Sequence, residues 1–263
     1  MGHKTLINGT AYNISGGKTL IGGTSYDISG GKTLIGGTGY NISFSPYKPV
    51  FADNSWTQII QACQNNEVPD TWTVGSSKYM YISGTGNCLI DIIGKNHDVY
   101  YGGSKPVPLT FQAHYLWGFY SMNPSNSNTS GWQNSDMRQS TLLTILSQMP
   151  TEVSKYIKYV TKVVYGGGAD LGRYQVSDKL FLLSEAEVFG TVTYSRGYEG
   201  TQYAYYTSAS NRIKKTTTGS VSNWWLRSPR NGDQNQFCVV APNGDPDHNN
   251  AFASNYAPIA FCF

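Results

Sequence analysis

The sequence has few charged residues for its length, and this shortage excludes several classes of protein. Only 13% of the 263 residues are Asp, Glu, Lys or Arg, whereas globular chains carry about a quarter. No basic run exceeds Lys214-Lys215, although a nucleic-acid groove needs clustered Lys and Arg. No apolar run approaches the roughly 20 residues of a membrane helix, and the amino terminus lacks the apolar segment of a signal peptide. We therefore predict no nucleic-acid partner and no membrane insertion.

The cysteines do not form a Cys-x-x-Cys pair, which argues against a zinc knuckle. They are Cys63, Cys88, Cys238 and Cys262. Four cysteines allow three pairings, and Cys238 and Cys262 both lie in strand-like segments where they could be cross-strand neighbours. Because no signal peptide is visible, we favour buried free thiols over disulfides.

Patterns typical of catalytic sites are also missing. No two histidines have His-x-x-x-His spacing, and there is no Gly-x-Ser-x-Gly motif. Helix capping accounts for Glu185 and Glu187, and turns account for Asp91 and Asp98. We predict that the protein is not an enzyme and that it has no cofactor and no catalytic residue.

The first 44 residues are an internal repeat with a period of 14, in units that begin at Lys4, Lys18 and Lys32. Each unit has two short apolar runs separated by glycine, a pattern typical of a β-hairpin. A hairpin this short cannot bury its own apolar face, so the units must stack on each other or on another chain. We predict that residues 1–44 anchor the protein or trimerise it; a flexible Gly-rich leader is the alternative.

Residues 45–263 show signals of both helices and strands. Capping residues predict helices after Asn54 or Ser55, after Ser135 and after Ser184. Residues 151–164 have helical and then strand character, and 203–215 predict another short helix. Strand-like runs are 79–82, 89–93, 109–111 and 179–183. This mixture predicts one α+β domain.

Three ordered motifs carry a resemblance that covers residues 50–263. They are GWQNSDMR at 131–138, DKLFLLSEAEVFG at 178–190 and WWLRSP at 224–229. In this order they resemble a family of phage and bacterial domains marked by a WWLRSP signature. That family is similar to the C-type-lectin fold of formylglycine-generating-enzyme-like domains and phage major tropism determinants. The resemblance implies a C-type-lectin-like domain in which Trp224, Trp225 and Phe181 are buried and Arg227 pairs with the backbone or a carboxylate.

Residues 230–256 resemble the Asn-rich variable segments of diversity-generating-retroelement proteins, and 257–263 resemble their fixed final strand. In such systems the adenines of a template are mutated. An Asn codon then still ends in a pyrimidine, so it cannot become a stop codon or encode Lys, Glu, Met, Trp or Gln. The segment contains no Lys, Glu, Met or Trp, whereas Gln234 and Gln236 depart from the rule.

The resemblance implies a phage receptor-binding or tail-tip adhesin in the virion. It would bind a bacterial surface protein or glycan, contact other virion proteins and be a homotrimer. The implied ligand-binding residues are Arg230, Asn231, Asp233, Asn235, Asp245, Asp247, His248, Asn249, Asn250, Phe252, Ser254, Asn255 and Tyr256. Phe252 and Tyr256 would be the anchors.

We expect most of these side chains to cluster on one exposed face, because diversification is tolerable only where side chains do not pack. The set expected there is Asp233, Asn235, Asp247, His248, Asn249, Asn250, Phe252, Asn255 and Tyr256. Calcium is not implied, because 241–243 (Ala-Pro-Asn) lacks the carboxylate of a calcium lectin and Asn223 precedes Trp224. We predict no metal site. Two alternatives stay open: a structural virion protein without a ligand, and a bacterial surface-displayed lectin-like protein.

Overall fold

The computed structural model describes residues 46–263 apart from Ser130, together with the backbone of six strands among residues 1–45. Each 14-residue unit forms one antiparallel hairpin. The strands are β1 (His3–Ile7), β2 (Thr10–Ile14), β3 (Gly17–Ile21), β4 (Thr24–Ile28), β5 (Gly30–Ile35) and β6 (Thr38–Ser43). Tyr12, Tyr26 and Tyr40 hold the same register position, each opposite a threonine. The predicted equivalence of their side-chain environments lies outside the described residues.

Helix α1 (Trp56–Asn65) begins where its capping residues predict. Ser55 Oγ accepts a hydrogen bond from Gln58 N at 3.1 Å, and Gln58 Oε1 accepts one from Ser55 N at 2.8 Å. This reciprocal pair satisfies two N–H groups that the first turn leaves free. A 3₁₀ turn over Phe51–Asp53 precedes the helix.

The other helices are short. A π-helical turn over Met137–Thr141 leads into α2 (Leu142–Gln148), where the sequence predicted one continuous helix after Ser135. Helix α3 (Thr151–Ser154) follows Pro150. The remaining short elements are α4 (Glu185–Phe189) and the 3₁₀ turns Ala204–Thr207 and Ala209–Arg212.

Twelve strands follow the repeats, and most of them are short. They are β7 (Ser77–Ile82), β8 (Gly86–Lys95), β9 (Leu109–Ala113), β10 (Phe119–Tyr120), β11 (Val160–Tyr165), β12 (Arg173–Asp178), β13 (Leu180–Phe181), β14 (Trp224–Pro229), β15 (Gln236–Val240), β16 (Pro246–Asn250), β17 (Asn255–Tyr256) and β18 (Ala260–Cys262). The strand predicted over 179–183 is shorter than expected, because only Leu180 and Phe181 pair.

These strands form two five-stranded sheets and one hairpin. The first sheet has the order β13-β18-β9-β8-β7 and is antiparallel throughout. The second has the order β10-β17-β14-β15-β16, in which β17 runs parallel to β14. Strands β11 and β12 form the hairpin. The fold is therefore a mixed α+β arrangement, mostly β-sheet with few helices, and the predicted class is confirmed.

One hydrophobic cluster runs through these elements and includes Trp224, Trp225 and Phe181, which are fully buried as predicted. The four cysteines are free thiols. Cys238 lies in the second sheet and Cys262 in the first, so the suggestion that they are cross-strand neighbours is wrong. In the part of the chain that the structure describes, no helix is long and apolar enough to cross a membrane.

Candidate ligand-binding surface

Strand β14 carries the WWLRSP motif and is buried along its whole length. The indole N–H of Trp224 donates to Arg212 O at 3.0 Å, and that of Trp225 donates to Tyr120 O at 2.8 Å. Each large ring therefore lies in the core with its polar atom paired. The motif builds the scaffold that supports residues 230–256.

A cluster of buried charged side chains contacts this scaffold. Arg227 donates to both carboxylate oxygens of Glu187, at 2.5 and 3.0 Å. Lys162 donates to Glu187 at 3.1 Å and to Asp98 at 2.5 Å. The predicted pairing of Arg227 is confirmed. The prediction that Asp98 is an ordinary turn acid is wrong, because its carboxylate is buried against the Lys162 ammonium.

Neighbouring positive charges keep the carboxyl groups of this buried cluster ionised. Burial raises the pKa of Asp98, but the Lys162 ammonium outweighs burial and brings the pKa down to about 2. Burial likewise opposes ionisation of Glu187, and Arg227 and then Lys162 hold its pKa below the ordinary value. Glu187 also completes the capping box of α4 with Ser184, so capping is only part of its role.

Two further acids differ from the sequence prediction. Asp91 is buried in β8 and accepts hydrogen bonds from Ser77 Oγ at 2.6 Å, His114 Nδ1 at 2.7 Å and Tyr205 Oη at 3.0 Å, so it is not a turn acid. Glu185 is also buried, and its carboxylate accepts the backbone N–H groups of residues 194 and 195. Glu185 thereby holds a loop next to the predicted site.

The turn over 230–235 joins β14 to β15, and a side chain outside the turn holds its backbone. Asn128 Nδ2 donates to Asp233 O at 3.0 Å and to Gln236 O at 2.7 Å. The backbone N–H of Asn128 donates to Gln234 O at 2.7 Å. The path of this turn is therefore set mainly from outside.

Asn128 is itself fixed in place. It is fully buried, and its Oδ1 accepts a hydrogen bond from Gly168 N at 2.9 Å. Gly167 lies so close that a Cβ there would come within 1.5 Å of Asn128 O. Only glycine fits at that approach, because the contact is with backbone that cannot swing aside.

The side chains of the turn contact one another and one neighbouring loop. Arg230 donates to Gln236 Oε1 and lies 3.7 Å from the Asp233 carboxylate. Asn231 Oδ1 accepts a hydrogen bond from Arg196 Nε at 3.2 Å. Asn231 and Asn235 are exposed, and Asp233 is half-buried. Asp233 Oδ1 accepts its near neighbour Asn235 N at 2.6 Å. Arg230 is half-buried, with its guanidinium 6.0 Å from the centroid of the Tyr194 ring.

Strand β16 is an edge strand, and its side chains alternate between the two faces of the sheet. His248 packs edge-on against Tyr194, with ring centroids 4.8 Å apart. Asn249 points the other way, and its Nδ2 donates to Asn255 Oδ1 at 3.3 Å. The prediction that Asp247, His248, Asn249 and Asn250 share one face is therefore wrong.

The loop after β16 lies beside the turn. Ala251 N donates to Asn235 O at 2.7 Å, and Ala251 O accepts Asn123 N at 3.0 Å. Phe252 in this loop is 53% exposed, and Ser254 is exposed. We call residues 231–235 and 250–254 together the loop end.

An aromatic pair connects β17, the strand that follows the loop end, to β10. Tyr256 is half-buried, and its ring centroid is 5.1 Å from that of Phe119 in β10. Phe119 is 59% exposed. Sequence reasoning missed Phe119, because only the pairing of β10 with β17 brings it to Tyr256.

Two predicted site residues do not belong with the loop end. Asn255 is buried, because β17 lies between β10 and β14, so its predicted exposure is wrong. Asp245 is exposed but follows Asn243 in the turn at the other end of the β15–β16 hairpin, about 15 Å away along five-residue strands.

Exposure divides the thirteen predicted residues into three groups. The exposed ones are Asn231, Asn235, Asp245, Phe252 and Ser254. The half-buried ones are Arg230, Asp233, Asp247, His248, Asn249, Asn250 and Tyr256. Only Asn255 is buried. The loop end, with Tyr256 and Phe119 beside it, is the part of the predicted site that is accessible to a ligand.

A shallow polar cavity adjoins the loop end and was not predicted. Its lining includes Asn123, Ser125, Ser127, Thr129, Asn134 and Gln139. Asn123 connects it to Ala251 through the hydrogen bond described above. Hydroxyl and amide groups at this density suit a polar ligand. Among the described residues, no group of three or more His, Cys, Asp or Glu is placed to hold a metal ion.

Residues 112–262 match the family described as a domain of unknown function, DUF6273, and the chain belongs to that family. The match takes in both the Arg227–Glu187 pair and the loop end. No curated protein and no solved structure matches the chain significantly.

Proposed function

We propose that this chain is a phage receptor-binding protein whose C-type-lectin-like domain presents the loop end to a ligand on the bacterial surface. We also propose that the exposed loop-end residues are the positions that a diversity-generating retroelement varies. The ligand is a surface protein or a glycan, and the protein belongs to the virion, at the phage tail.

One observation carries this proposal: the backbone of the loop end is held by residues outside it. Asn128 holds the turn over 230–235, and the backbone N–H groups of Met122 and Asn123 both donate to Ala251 O in the second loop. The side chains of Asn231, Asn235, Phe252 and Ser254 are exposed. Side chains can therefore change while the backbone keeps its path, which is what a variable binding surface on a rigid scaffold requires.

The chemistry of the surface favours adhesion over idle exposure. Phe252 and Phe119 each expose more than half of a large apolar side chain, beside Tyr256. Exposed aromatic side chains next to amides are typical of adaptable binding surfaces, because rings give rigid contact area and amides give adaptable hydrogen bonds.

We further propose that residues 1–44 attach the domain to the virion and form a homotrimer. Their three two-stranded hairpins leave strand edges that pair with nothing in the described part of the chain. A neighbouring copy is the simplest partner for such edges. Deleting residues 1–44 should turn a trimer into a monomer in sedimentation analysis; an unchanged state would exclude this role.

The binding role is tested by a variant with Asn231→Ala, Asn235→Ala, Phe252→Ala and Ser254→Ala. Labelled wild-type protein is first screened on a panel of bacterial strains to find one that it coats. We expect the variant to lose at least nine-tenths of that binding while it unfolds at nearly the wild-type temperature, since none of the four side chains is buried.

The matched control is Asn243→Ala with Asp245→Ala, at the opposite end of the β15–β16 hairpin, which should bind like wild type. Equal binding by the loop-end variant would contradict the assignment of the site. A loop-end variant that fails to fold would show that these residues are structural, and the proposal would fall.

Diversification has a separate test in the DNA. Sequencing the gene across a propagated phage population should show substitutions concentrated in codons of the loop end, at adenines of a nearby template repeat. Substitutions spread evenly over residues 112–262, with no template and no reverse transcriptase gene beside them, would leave an adhesin with a fixed sequence.

A further inference from the structure

A second cavity lies away from the loop end and has a buried lysine in its lining. The cavity measures about 370 Å³, within the range of small-ligand sites. Its lining includes His114, Tyr115, Tyr205, Asn211, Lys214 and Lys215. The described part of the chain therefore brings together two cations, a histidine, two tyrosines and an amide.

Lys214 is the unusual member of this lining. It is 4% exposed, and its ammonium donates to Ala113 O at 2.8 Å and to His114 O at 3.1 Å. Among the described residues, no carboxylate lies within ion-pair distance of it. Its ammonium also lies 6.0 Å from the centroid of the Trp224 ring. A buried ammonium without a carboxylate partner costs free energy, unlike Lys162, which binds two carboxylates.

Asp91, whose charge acts on Lys214, already has hydrogen-bond partners in the protein. The carboxylate of Asp91 accepts hydrogen bonds from Ser77, Tyr205 and His114 and is nearly inaccessible to solvent. By accepting from His114 Nδ1 it orients the imidazole. No protein partner of His114 Nε2 is found among the described residues, so this nitrogen is free to bind a ligand.

We propose that this cavity binds a small organic anion, an acidic sugar or a sugar phosphate, whose carboxylate or phosphate is the missing counter-ion of Lys214. Lys215 adds a second positive charge to the lining. The Tyr115 and Tyr205 rings offer flat surfaces to the apolar face of a sugar, and the Asn211 amide offers hydrogen bonds to its hydroxyls.

The electrostatics of the cavity agrees with this assignment. Burial lowers the pKa of Lys214 to about 8, and the attraction of Asp91 offsets burial only in part. A bound anion would favour the charged form of Lys214 and raise that pKa. Binding should therefore weaken as pH rises above about 8, because free Lys214 then loses its proton.

Titration calorimetry on the full chain with glucuronate, glucose 6-phosphate, glucose and inorganic phosphate tests the proposal. We expect both organic anions to bind at least tenfold more tightly than glucose and inorganic phosphate. Binding of glucose as tight as glucuronate would overturn the role of Lys214. Phosphate binding as tight as glucose 6-phosphate would overturn the role of the rings.

The Lys214→Met variant should lose glucuronate binding, whereas the control Lys179→Met, in a different cavity, should keep it. Because Lys214→Met removes a buried group, the wild type gives an independent measurement. Its affinity for glucuronate should fall about tenfold between pH 7 and pH 9, one decade per pH unit above the Lys214 pKa of about 8.

The other titratable groups that line the cavity or act on Lys214 are Asp91, His114, Tyr115, Tyr205 and Lys215. Burial, followed by the charge of Asp91, raises the pKa of Tyr205 above this range. Repeating the pH series with His114→Gln removes the imidazole from the titration, and the loss above pH 8 should persist. Affinity that does not change between pH 7 and pH 9 in either protein would overturn the proposal.

Discussion

Strands β14 and β16 lie in the same sheet with only β15 between them, yet their side chains have opposite roles. Every residue of β14 is buried, and Arg227 is bound to partners far along the chain. Every residue of β16 is half-buried, and the side chains of Asp247 and Asn249 accept hydrogen bonds from the backbone N–H groups of the residues that follow them. The backbone ladder to β15, rather than its side chains, holds β16 in the sheet. Fixed side chains on β14 and replaceable ones on β16 can therefore lie about 10 Å apart.

The largest expected effect is on stability and comes from the buried charges that contact β14. Glu187→Gln keeps the shape of the side chain but leaves Lys162 and Arg227 without their shared carboxylate. Removing one partner of a buried ion pair costs about 3–5 kcal/mol of unfolding free energy. Urea denaturation measures it, with the exposed Glu152→Gln as control, which should change stability by less than about 0.5 kcal/mol.

A stability of Glu187→Gln equal to that of the control would mean that the buried charges do not depend on each other. The contrast between β14 and β16 would then be one of burial alone.

Asn128 joins the two sides, since a buried side chain holds the backbone of an exposed turn. Asn128→Ala removes these hydrogen bonds and the one that Gly168 N donates to Asn128 Oδ1, so we expect a loss of about 2–4 kcal/mol in unfolding free energy. Binding to the bacterial strain should weaken as well, because the turn loses its fixed path. The neighbouring exposed Asn126→Ala should change neither. Strong binding by a destabilised Asn128→Ala variant would mean that the path of the turn does not determine ligand binding.

Low pH should lower the unfolding free energy through the buried charges that contact β14. Because Lys162 lowers the folded-state pKa of Asp98 from the ordinary 3.8 to about 2, the ionised carboxylate stabilises the fold above the unfolded-state pKa. That contribution, on the order of 2 kcal/mol, is lost as the pH falls from about 4 to about 2. Unfolding free energies at pH 7, 4 and 2 check it. Asp98→Asn should flatten this part of the profile, and an identical slope in the variant would contradict the assignment.

The smallest effects are expected at the loop end. Asn231→Ala and Phe252→Ala, each alone, should change the unfolding free energy by no more than about 0.5 kcal/mol, because neither side chain is buried. Thermal unfolding measures this. A loss above about 2 kcal/mol at either position would place it with β14 rather than with the replaceable residues.

The sequence was sufficient to predict features that depend on residues close together in the chain. The capping boxes at Ser55 and Ser184 each involve residues three apart, and both helices begin where predicted. The burial of Trp224 and Trp225 followed from their size and the motif around them.

Contacts between residues far apart in the chain could not be predicted from the sequence. Asp98 meets Lys162 across 64 residues, and no local pattern distinguishes it from an acid in a turn. Strand β16 reads Pro-Asp-His-Asn-Asn, residue types that are scarce in strands. It is a strand because β15 offers it a ladder, so the alternation that divides His248 from Asn249 was not visible either.

Strand β18 has a consequence for how the segment before it can change. It follows the loop end in sequence, yet it lies inside the first sheet, between β13 and β9. A chain cut anywhere in 230–256 would lack β18 and leave both of these neighbours with open edges through the core. A premature stop or a frameshift in 230–256 would therefore prevent folding, whereas a substitution of an exposed loop-end side chain leaves β18 in place.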